Sequence, residues 1–399
     1  MIKEIGSITK SLLELDEFCK LESASIDSWI RTRAGKQKYE IYNSVDIRCS
    51  GFKIAPVDTN IFPAGFHLLD KREISDVATK FRHFIDANFP GSSKLLLIPE
   101  GFNRNLHYLK NVSVLVDIFK KAKFDIRVGS SDIVYKNADL HIEKIVKEHR
   151  DIFIESDSYS PDVIILNNDL TSGIPDILKD IKKPIVPSLN RGWYLRRKSH
   201  HMRCYYNIAS EFCKHFNFDP WLITTEVADC NDINFKDQNS IDRLRALISG
   251  MLDKIRKGYD DRSLDEKPYV FIKADNGTFG MGITNTEEIN SDLFFNKKMR
   301  NSMFVIKDGV KNEAVLLQEG VKTAFTFQDF AAESMFYFAN GNIISTIVRY
   351  NTKKNNLSNL NSTGMKFENA FDLKNLMPLY HVQAVVAKLA VLAVLYEFL

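Results

Sequence analysis

The segment 269–283, YVFIKADNGTFGMGI, is the stretch that best indicates how this chain folds. A short apolar run ends at Lys273, and the closely spaced Gly277, Gly280 and Gly282 follow before the chain turns apolar again. Glycine lets backbone N–H groups approach an anion, and lysine supplies a compact positive charge for a phosphate oxygen. The segment therefore predicts a β-strand ending beside a glycine flap over phosphate. A simple glycine hairpin between two strands is the alternative.

The segment 314–321, AVLLQEGV, follows downstream. Its apolar run stops at Gln318 and Glu319, with a glycine before Val321. This pattern is typical of a buried strand that leads into a hinge, where backbone groups can bind an adenine edge.

A hairpin and a polar turn complete the C-terminal pattern. Asn340-Gly341 between two apolar runs predicts a β-hairpin, and its second strand ends at Arg349. The guanidinium of Arg349 can meet a carboxylate or a phosphate in bidentate fashion. The turn 359–364, NLNSTG, presents two amide oxygens that suit Mg²⁺ beside phosphates.

This order of motifs resembles the ATP-grasp ligases. In that superfamily a first lysine for ATP lies upstream at the start of a helix, and Lys198 fits because a helical pattern follows it. The resemblance implies ATP and Mg²⁺ as cofactors, with Arg349 and Lys273 as catalytic groups. The ATP-binding residues that it implies are Lys198, Lys273, Gly277, Gly280, Gly282, Gln318, Glu319 and Val321. The metal-binding residues that it implies are Glu333, Asn359 and Asn361.

Three segments in the N-terminal half resemble one particular family of ligases. The segments PVDTNIFPAGF (56–66), IPEGFNRN (98–105) and LNNDL (166–170) are similar to signatures of the glutamate–cysteine ligases of many proteobacteria. The likeness covers the chain from about residue 50 to its end. It implies ATP-dependent joining of the glutamate γ-carboxylate to the cysteine amine, the first step toward glutathione. The substrate-binding residues that it implies are Asp58, Asn60, Asn103, Arg104, Arg196 and Arg197.

Two departures from the family pattern limit the transfer of roles. The family has Glu-Asn-His-Thr-Arg-Asn where this chain has EGFNRN at 100–105, so the histidine is replaced. Asn359 stands where many ATP-grasp enzymes carry a glutamate. The missing metal carboxylate must come from elsewhere, and Glu333 and Glu319 are the nearest candidates.

Short apolar runs alternate with helical patterns between residues 94 and 186. This alternation predicts βαβ units and a largely parallel sheet, so the fold class is α/β (α+β). We predict an N-terminal α/β substrate domain over 1–190, a first ATP-grasp-like lobe over 191–268 and a second over 269–399. Beyond the parallel sheet we expect a helix over 204–216, a strand at 220–223, a helix from 237 to about 257 and a chain-ending helix.

Composition agrees with a cytoplasmic enzyme that acts on small molecules. A formal net charge of +3 is too small to indicate a nucleic-acid partner. The five cysteines are odd in number and form no Cys-x-x-Cys pair, which favours reduced thiols. Lys388 and Glu397 interrupt the apolar C-terminal stretch, which favours a packed helix over a membrane span. Nothing in the pattern indicates an oligomeric state.

Three functional hypotheses stay open at this point. The first is a glutamate–cysteine ligase, and the second is a related ATP-grasp ligase with another acceptor amino acid. The third is a non-catalytic ATP-binding protein of the same fold, which the small number of acidic metal ligands makes plausible.

Overall fold

The computed structural model describes residues 2–4, 8–101, 105–132, 134–137, 139–277, 280–287, 303, 309 and 311–398. The helices within these ranges are α1 (Lys10–Leu21), α2 (Ser23–Ala34), α3 (Ile74–Asn88), α4 (Leu106–Lys121), α5 (Lys198–Phe216), α6 (Gln238–Asp260) and α7 (Tyr380–Val394). The strands are β1 (Ile2–Glu4), β2 (Tyr42–Cys49), β3 (Ile54–Asn60), β4 (Lys94–Pro99), β5 (Asp125–Ser130), β6 (Tyr135–Lys136), β7 (His141–Glu148), β8 (Asp151–Ile154), β9 (Val163–Asn167), β10 (Ile185–Val186), β11 (Val227–Cys230), β12 (Val270–Ala274), β13 (Ile283–Thr286), β14 (Val315–Glu319), β15 (Phe325–Phe327), β16 (Phe330–Ala339), β17 (Asn342–Asn351) and β18 (Met365–Asn369).

The first sheet is largely parallel, as the alternating pattern predicts. Its strands follow the order β10-β9-β4-β5-β7-β6, and the pairs from β10 to β7 are parallel. Strand β9 is buried along its whole length, which is typical of a strand covered on both faces. The mixed α/β fold class is confirmed.

The second sheet is antiparallel and joins the two ends of the chain. Its long hairpin of β16 and β17 turns at Asn340 and Gly341, which have φ values of +47° and +73°. These left-handed conformations at both turn positions match the Asn-Gly preference and confirm the predicted hairpin. Strand β2, from the N-terminal part of the chain, pairs along the other edge of β16, and β3 pairs with β2.

The third sheet, β11-β14-β12-β13, carries the lysine–glycine segment. Strands β12 and β13 are antiparallel, with Lys273 opposite Ile283, so the glycines lie in the connection of a hairpin. Helix α6 packs its apolar face, including Leu244, Ile248 and Ile255, against this sheet.

Helix α7 is the centre of the largest hydrophobic cluster. Val386, Leu389 and Leu392 have no exposed surface, and the helix packs against α1, α5 and the strands β2 and β3. Most of its surface is apolar, and such a helix is stable only when other elements cover it. The predicted C-terminal helix is confirmed. In the described part of the chain, no helix is long and apolar enough to cross a membrane.

One predicted element is wrong. Residues Pro220–Leu222 form a short 3₁₀ helix instead of a strand. The side chain of Asp219 accepts a hydrogen bond from the backbone N–H of Trp221 (2.9 Å), and proline is favoured in the first turn of a helix. The division of the chain at residues 190 and 268 stays a prediction.

Candidate functional site

Two neighbouring cavities open where the antiparallel sheet, the third sheet and the start of α5 meet. The first, called here the lysine pocket, is lined by Lys198, Lys273, Gly277, Gly280, Glu333, Asn359 and Asp46 among others. The second, called here the side cavity, measures about 220 Å³ and extends toward α4. Both cavities are lined by Asp46, Asp58, Arg349 and Asn361.

A chain of four buried charges forms the floor between the cavities. Arg48 donates through Nε to Glu333 (2.6 Å), Arg349 donates through Nε to the other oxygen of Glu333 (2.7 Å), and NH2 of Arg349 reaches Asp46 (2.5 Å). All four side chains are at most 5 % exposed.

Sheet register explains why these four residues meet. Glu333 on β16 lies directly opposite Arg349 on β17, and Asp46 on β2 lies opposite Met335 on β16. Side chains two apart on a strand share a face, so Arg48 and Asp46 project to the same side of the sheet as Glu333. Opposite charges thus alternate across three neighbouring strands.

The contacts among these four charged side chains set the pKa values of the two carboxylates. Burial by itself would raise the pKa of Glu333, but Arg349 and Arg48 hold it below its ordinary value. Burial raises the pKa of Asp46 to about 6, and the Asp58 and Glu333 carboxylates add to this against the opposing effect of Arg349. A buried carboxylate stays ionised only where arginine compensates it, so removing one arginine would leave an uncompensated buried charge.

The two lysines that the sequence singles out face each other across β3. Lys198 pairs with Asp58 (2.5 Å), and Lys273 donates to the backbone carbonyl of Val57 (2.6 Å) and to the side chain of Gln318 (2.7 Å). Burial, together with the charges of Lys198 and Arg48, lowers the pKa of Lys273 to about 7 against the opposing effect of Asp58. Burial would raise the pKa of Asp58, but Lys198 and then Lys273 lower it to about 2.

Asp275 connects the two lysine-bearing elements. Its carboxylate accepts from the backbone N–H of Ser199 (2.7 Å) and from the Ser199 hydroxyl (2.8 Å), and its carbonyl accepts from the N–H of Lys198 (2.8 Å). A carboxylate at a helix N-terminus satisfies otherwise unpaired N–H groups. This cap explains why α5 begins at Lys198, earlier than residue 204, where the sequence pattern places its start.

The glycine flap rests on the asparagine turn. Gly280 has φ of +71°, and a Cβ atom built there would lie 2.4 Å from the carbonyl oxygen of Asn361 and 3.4 Å from Nδ2 of Asn359. On the other arm of the flap, Asn285 donates to the carbonyl of Leu357 (3.2 Å). Gly277 and Gly280 line the lysine pocket, and Gly280 can lie this close to the asparagine turn only because it has no side chain.

The structure brings most of the candidate residues to the two cavities. The candidates that line them are Asp58, Asn60, Lys198, Lys273, Gly277, Gly280, Glu333, Arg349, Asn359 and Asn361. Gly282 lies at the base of the flap, where its carbonyl accepts from the N–H of Ala274 (2.7 Å). Asn103 and Arg104 lie outside the described residues.

The hinge candidates occupy the interior of the third sheet. The backbone N–H of Glu319 donates to Glu226 (2.8 Å), and the Glu319 carboxylate pairs with the buried Lys53 (2.7 Å). Gln318 uses its side chain to hold Lys273. Val321 is buried, and its carbonyl lies 3.5 Å from Arg48.

Arg196 and Arg197, which were predicted to bind substrate, form hydrogen bonds to other residues of the protein. Arg196 forms a bidentate pair with Glu397 (2.7 and 2.9 Å) and donates to the carbonyl of Thr59 (2.5 Å). His201 donates through Nδ1 to the same carboxylate (2.6 Å), because the pKa of Glu397 is lowered to about 2 and its ionised oxygens can only accept. Arg197 donates to the carbonyl of Arg196 (2.8 Å). The last residues of the chain thus hold the segment that precedes Lys198.

The sequence reasoning missed Asp46, Arg48 and Asp275. The alternation of Ser44, Asp46 and Arg48 in an otherwise apolar strand was the available signal, because polar side chains at every second position mark one face. Asp275 stands inside the segment used to predict the fold, but an aspartate there is equally typical of a turn.

The oxygen atoms around the lysine pocket suit a hard cation such as Mg²⁺. Oδ1 of Asp46 is buried and has no hydrogen-bond partner, while its other oxygen is bound by Arg349. Both oxygens of Glu333 are occupied by arginines. Among the residues that the structure describes, no group of three or more His, Cys, Asp or Glu side chains forms a ready-made metal site. Mg²⁺ binds through few carboxylates and shared phosphates, so Asp46 with Asn361 fits it better than Glu333 does.

The chain is similar to known ligases over nearly all its length. The family model described as GshA, glutamate-cysteine ligase, matches residues 17–398. A crystal structure from Methylobacillus flagellatus KT with the provisional name gamma-glutamylcysteine synthetase has 31 % identity and a TM-score of 0.90, covering 100 % of this chain and 98 % of that chain. A D-alanyl-alanine synthetase A from Vibrio cholerae O1 biovar eltor aligns with a TM-score of only 0.32 and 12 % identity over 64 % of this chain and 67 % of that chain. No curated protein sequence matches this chain.

We expect Gly280→Val to weaken ATP binding about tenfold, because the new side chain would clash with Asn361 and resist the left-handed backbone. The measurement is calorimetric titration with ATP. Gly91→Val is the matched control, since Gly91 also has positive φ (+84°) but open space around it. Equal ATP affinity in the two variants would mean that the flap does not need to close at this point.

Lys273→Met should change how stability depends on pH. The folded pKa of Lys273 is about 7 and its ordinary value is 10.5, so between these values the unfolded chain binds one proton more than the folded chain. The free energy of unfolding of the parent protein should therefore rise across this window by about 1.4 kcal/mol per pH unit from this group alone. The variant lacks that contribution.

Urea unfolding of both proteins between pH 6 and pH 10 measures the difference. The difference in unfolding free energy should stay constant below pH 7 and shift in favour of the parent protein above it. Lys366→Met, at an exposed position, is the control. A difference that is flat across the whole range would contradict a neutral Lys273 in the folded state.

Proposed function

This chain belongs to the glutamate–cysteine ligase family, and we propose that its lysine pocket holds the phosphates of ATP while the side cavity holds the amino-acid substrates. The observation that carries this assignment is the shared wall of the two cavities. Asp46, Asp58, Arg349 and Asn361 line both, so a group bound in one can react with a group bound in the other.

The protein is an ATP-dependent ligase that joins the γ-carboxylate of L-glutamate to the amine of L-cysteine, the first step of glutathione biosynthesis. The carboxylate takes the terminal phosphoryl group of ATP, which gives an acyl phosphate and ADP. The cysteine amine then attacks the acyl carbon, the C–O bond to phosphate breaks, and the amine loses a proton. Both steps build negative charge, so fixed positive groups are the main source of catalysis.

The two lysines supply the positive charge for phosphate. Among the described residues, Lys273 donates to two neutral oxygen atoms, so a phosphate oxygen can replace Val57 or Gln318 without separating an ion pair. Bound phosphate restores the proton that burial disfavours on Lys273. Lys198 is held at the pocket wall by Asp58 and by the cap from Asp275.

Mg²⁺ would supply further charge neutralisation between the phosphates when it is bound. We assign the free oxygen of Asp46 and the amide of Asn361 to its site, with Asn359 and Glu333 adjoining them. In this assignment Asp46 supplies the metal-binding carboxylate that many ATP-grasp enzymes have at the position of Asn359. Its second oxygen is bound by Arg349, which leaves the first one without a hydrogen-bond partner.

Arg349 lies where the reacting carboxylate must sit. Its guanidinium is held by Glu333 and Asp46 from the sheet side, and it lines both cavities. A planar guanidinium fixed in this way can orient a carboxylate and stabilise the phosphoryl transfer without moving. The flap over Gly277 and Gly280 would exclude water, which protects an acyl phosphate from hydrolysis.

A coupled assay of ADP and phosphate release across amino-acid pairs tests the function. Glutamate with cysteine should give the fastest turnover and equimolar ADP and dipeptide. Faster turnover with another acceptor amino acid would assign the chain to the second hypothesis. ATP binding without turnover of any pair would contradict the ligase function.

We expect Arg349→Lys to lose about 2 kcal/mol of stability and at least about tenfold in kcat, because lysine cannot bind Glu333, Asp46 and a substrate carboxylate at once. Steady-state kinetics with glutamate varied and chemical unfolding measure the two losses. Arg82→Lys is the control, because Arg82 pairs with Asp86 on the exposed face of α3. A stability loss with kcat within about twofold of the parent would restrict Arg349 to a structural role.

The cytoplasmic location of the protein and its lack of a nucleic-acid partner stay predictions. The described cysteines, Cys19, Cys49, Cys204, Cys213 and Cys230, are all free thiols, in keeping with the reducing cytoplasm that their number suggests. The absence of a nucleic-acid partner, and any oligomeric state, are questions for solution measurements.

A further inference from the structure

The side cavity has a basic end away from the lysine pocket. His67 and His107 both line it, and their ring centroids are 6.0 Å apart. Arg349 is the other basic residue among the described lining residues, and Asp46 and Glu333 already neutralise it. Among the described lining residues, the two histidines are the basic side chains that form no salt bridge, and the same wall carries Asp46, Asp58 and Asp169.

The two histidines are held in a fixed relation by the fold. His67 lies in the short 3₁₀ helix Phe66–Leu68, and the backbone N–H groups of Gly65 and Phe66 both donate to Oδ1 of Asn111 (2.8 and 2.9 Å). Asn111 lies on α4 one turn after His107, so the same helix carries one histidine and anchors the turn that carries the other. These contacts fix the backbone positions from which the two rings enter the cavity.

One ring nitrogen of His67 has no hydrogen-bond partner. Nδ1 of His67 is buried and has no hydrogen-bond partner in the structure. Burial, and then the nearby His107 and Lys110, lower the pKa of His67 to about 4. A buried polar atom without a partner costs free energy, and an anion beside the two rings would remove that cost.

We propose that His67 and His107 bind the α-carboxylate of glutamate and so determine which amino acid is activated. This inference rests on the proposed function. The γ-carboxylate must reach Arg349 at the shared wall, and the α-carboxylate then points along the side cavity. The N-terminal end of α4, where His107 lies, also favours a negative charge.

The test compares glutamate with 4-aminobutanoate, which is glutamate without its α-carboxylate. The variants are His67→Gln and His107→Gln, and each keeps a neutral hydrogen-bonding side chain. His83→Gln, on the exposed face of α3, is the control. The readouts are KM for glutamate, KM for cysteine and the inhibition constant of 4-aminobutanoate, with thermal melting to check the fold.

We expect KM for glutamate to rise about tenfold in each cavity variant, which corresponds to one lost charge-assisted contact. The inhibition constant of 4-aminobutanoate and KM for cysteine should stay within about twofold of the parent values. His107→Gln keeps the test decisive if His67→Gln does not fold, because His107 is exposed at the mouth of the cavity.

Three results would overturn the inference. They are an unchanged KM for glutamate in both variants, an equal loss for glutamate and 4-aminobutanoate, and a selective rise in KM for cysteine. The proposed function fails separately, since it requires that the parent protein form dipeptide from glutamate and cysteine before any variant is compared.

Discussion

The site depends on the buried chain of charges formed by Arg48, Glu333, Arg349 and Asp46. Each carboxylate is stable there only because an arginine from a neighbouring strand compensates it, and each arginine is stable for the same reason. These four ion-paired side chains can therefore meet only when β2, β16 and β17 pair in the observed register. A slip by one residue would turn the charges to the apolar face of the sheet, so the electrostatics and the strand pairing specify each other.

Strand β3 and the Asp275 cap extend this fixed floor to the lysines. The backbone of β3 accepts from Lys273 at Val57, and its side chain at Asp58 holds Lys198. Asp275, two residues after Lys273, holds the first turn of α5. The two ammonium groups belong to segments far apart in the chain, yet hydrogen bonds to common partners position them. The C-terminal Glu397 adds a second constraint through Arg196, which also contacts β3 at Thr59.

The local elements could largely be predicted, because their signals are local. Apolar runs with intervening helices predicted the parallel sheet, and Asn340-Gly341 predicted the hairpin, because its turn needs two left-handed residues. The strand expected at Pro220 failed because a capping aspartate outweighed a short apolar run. The adenine-binding role of Gln318 and Glu319 stays a prediction, and the structure adds that their side chains bind Lys273 and Lys53.

The sequence by itself determined the fold class, the strand that carries Lys273 with the glycines after it, the asparagine turn and the likeness to glutamate–cysteine ligases. These features are short, contiguous stretches in which residue type and spacing carry the chemistry. Only the tertiary structure decided that Asp46 supplies the free carboxylate oxygen, that Arg349 is bound by two acids, and that His67 and His107 share one wall. The contact between Arg349 and Asp46 joins residues 303 positions apart. Sequence patterns record which face a side chain occupies, but the partner across a sheet depends on which distant strand pairs with it.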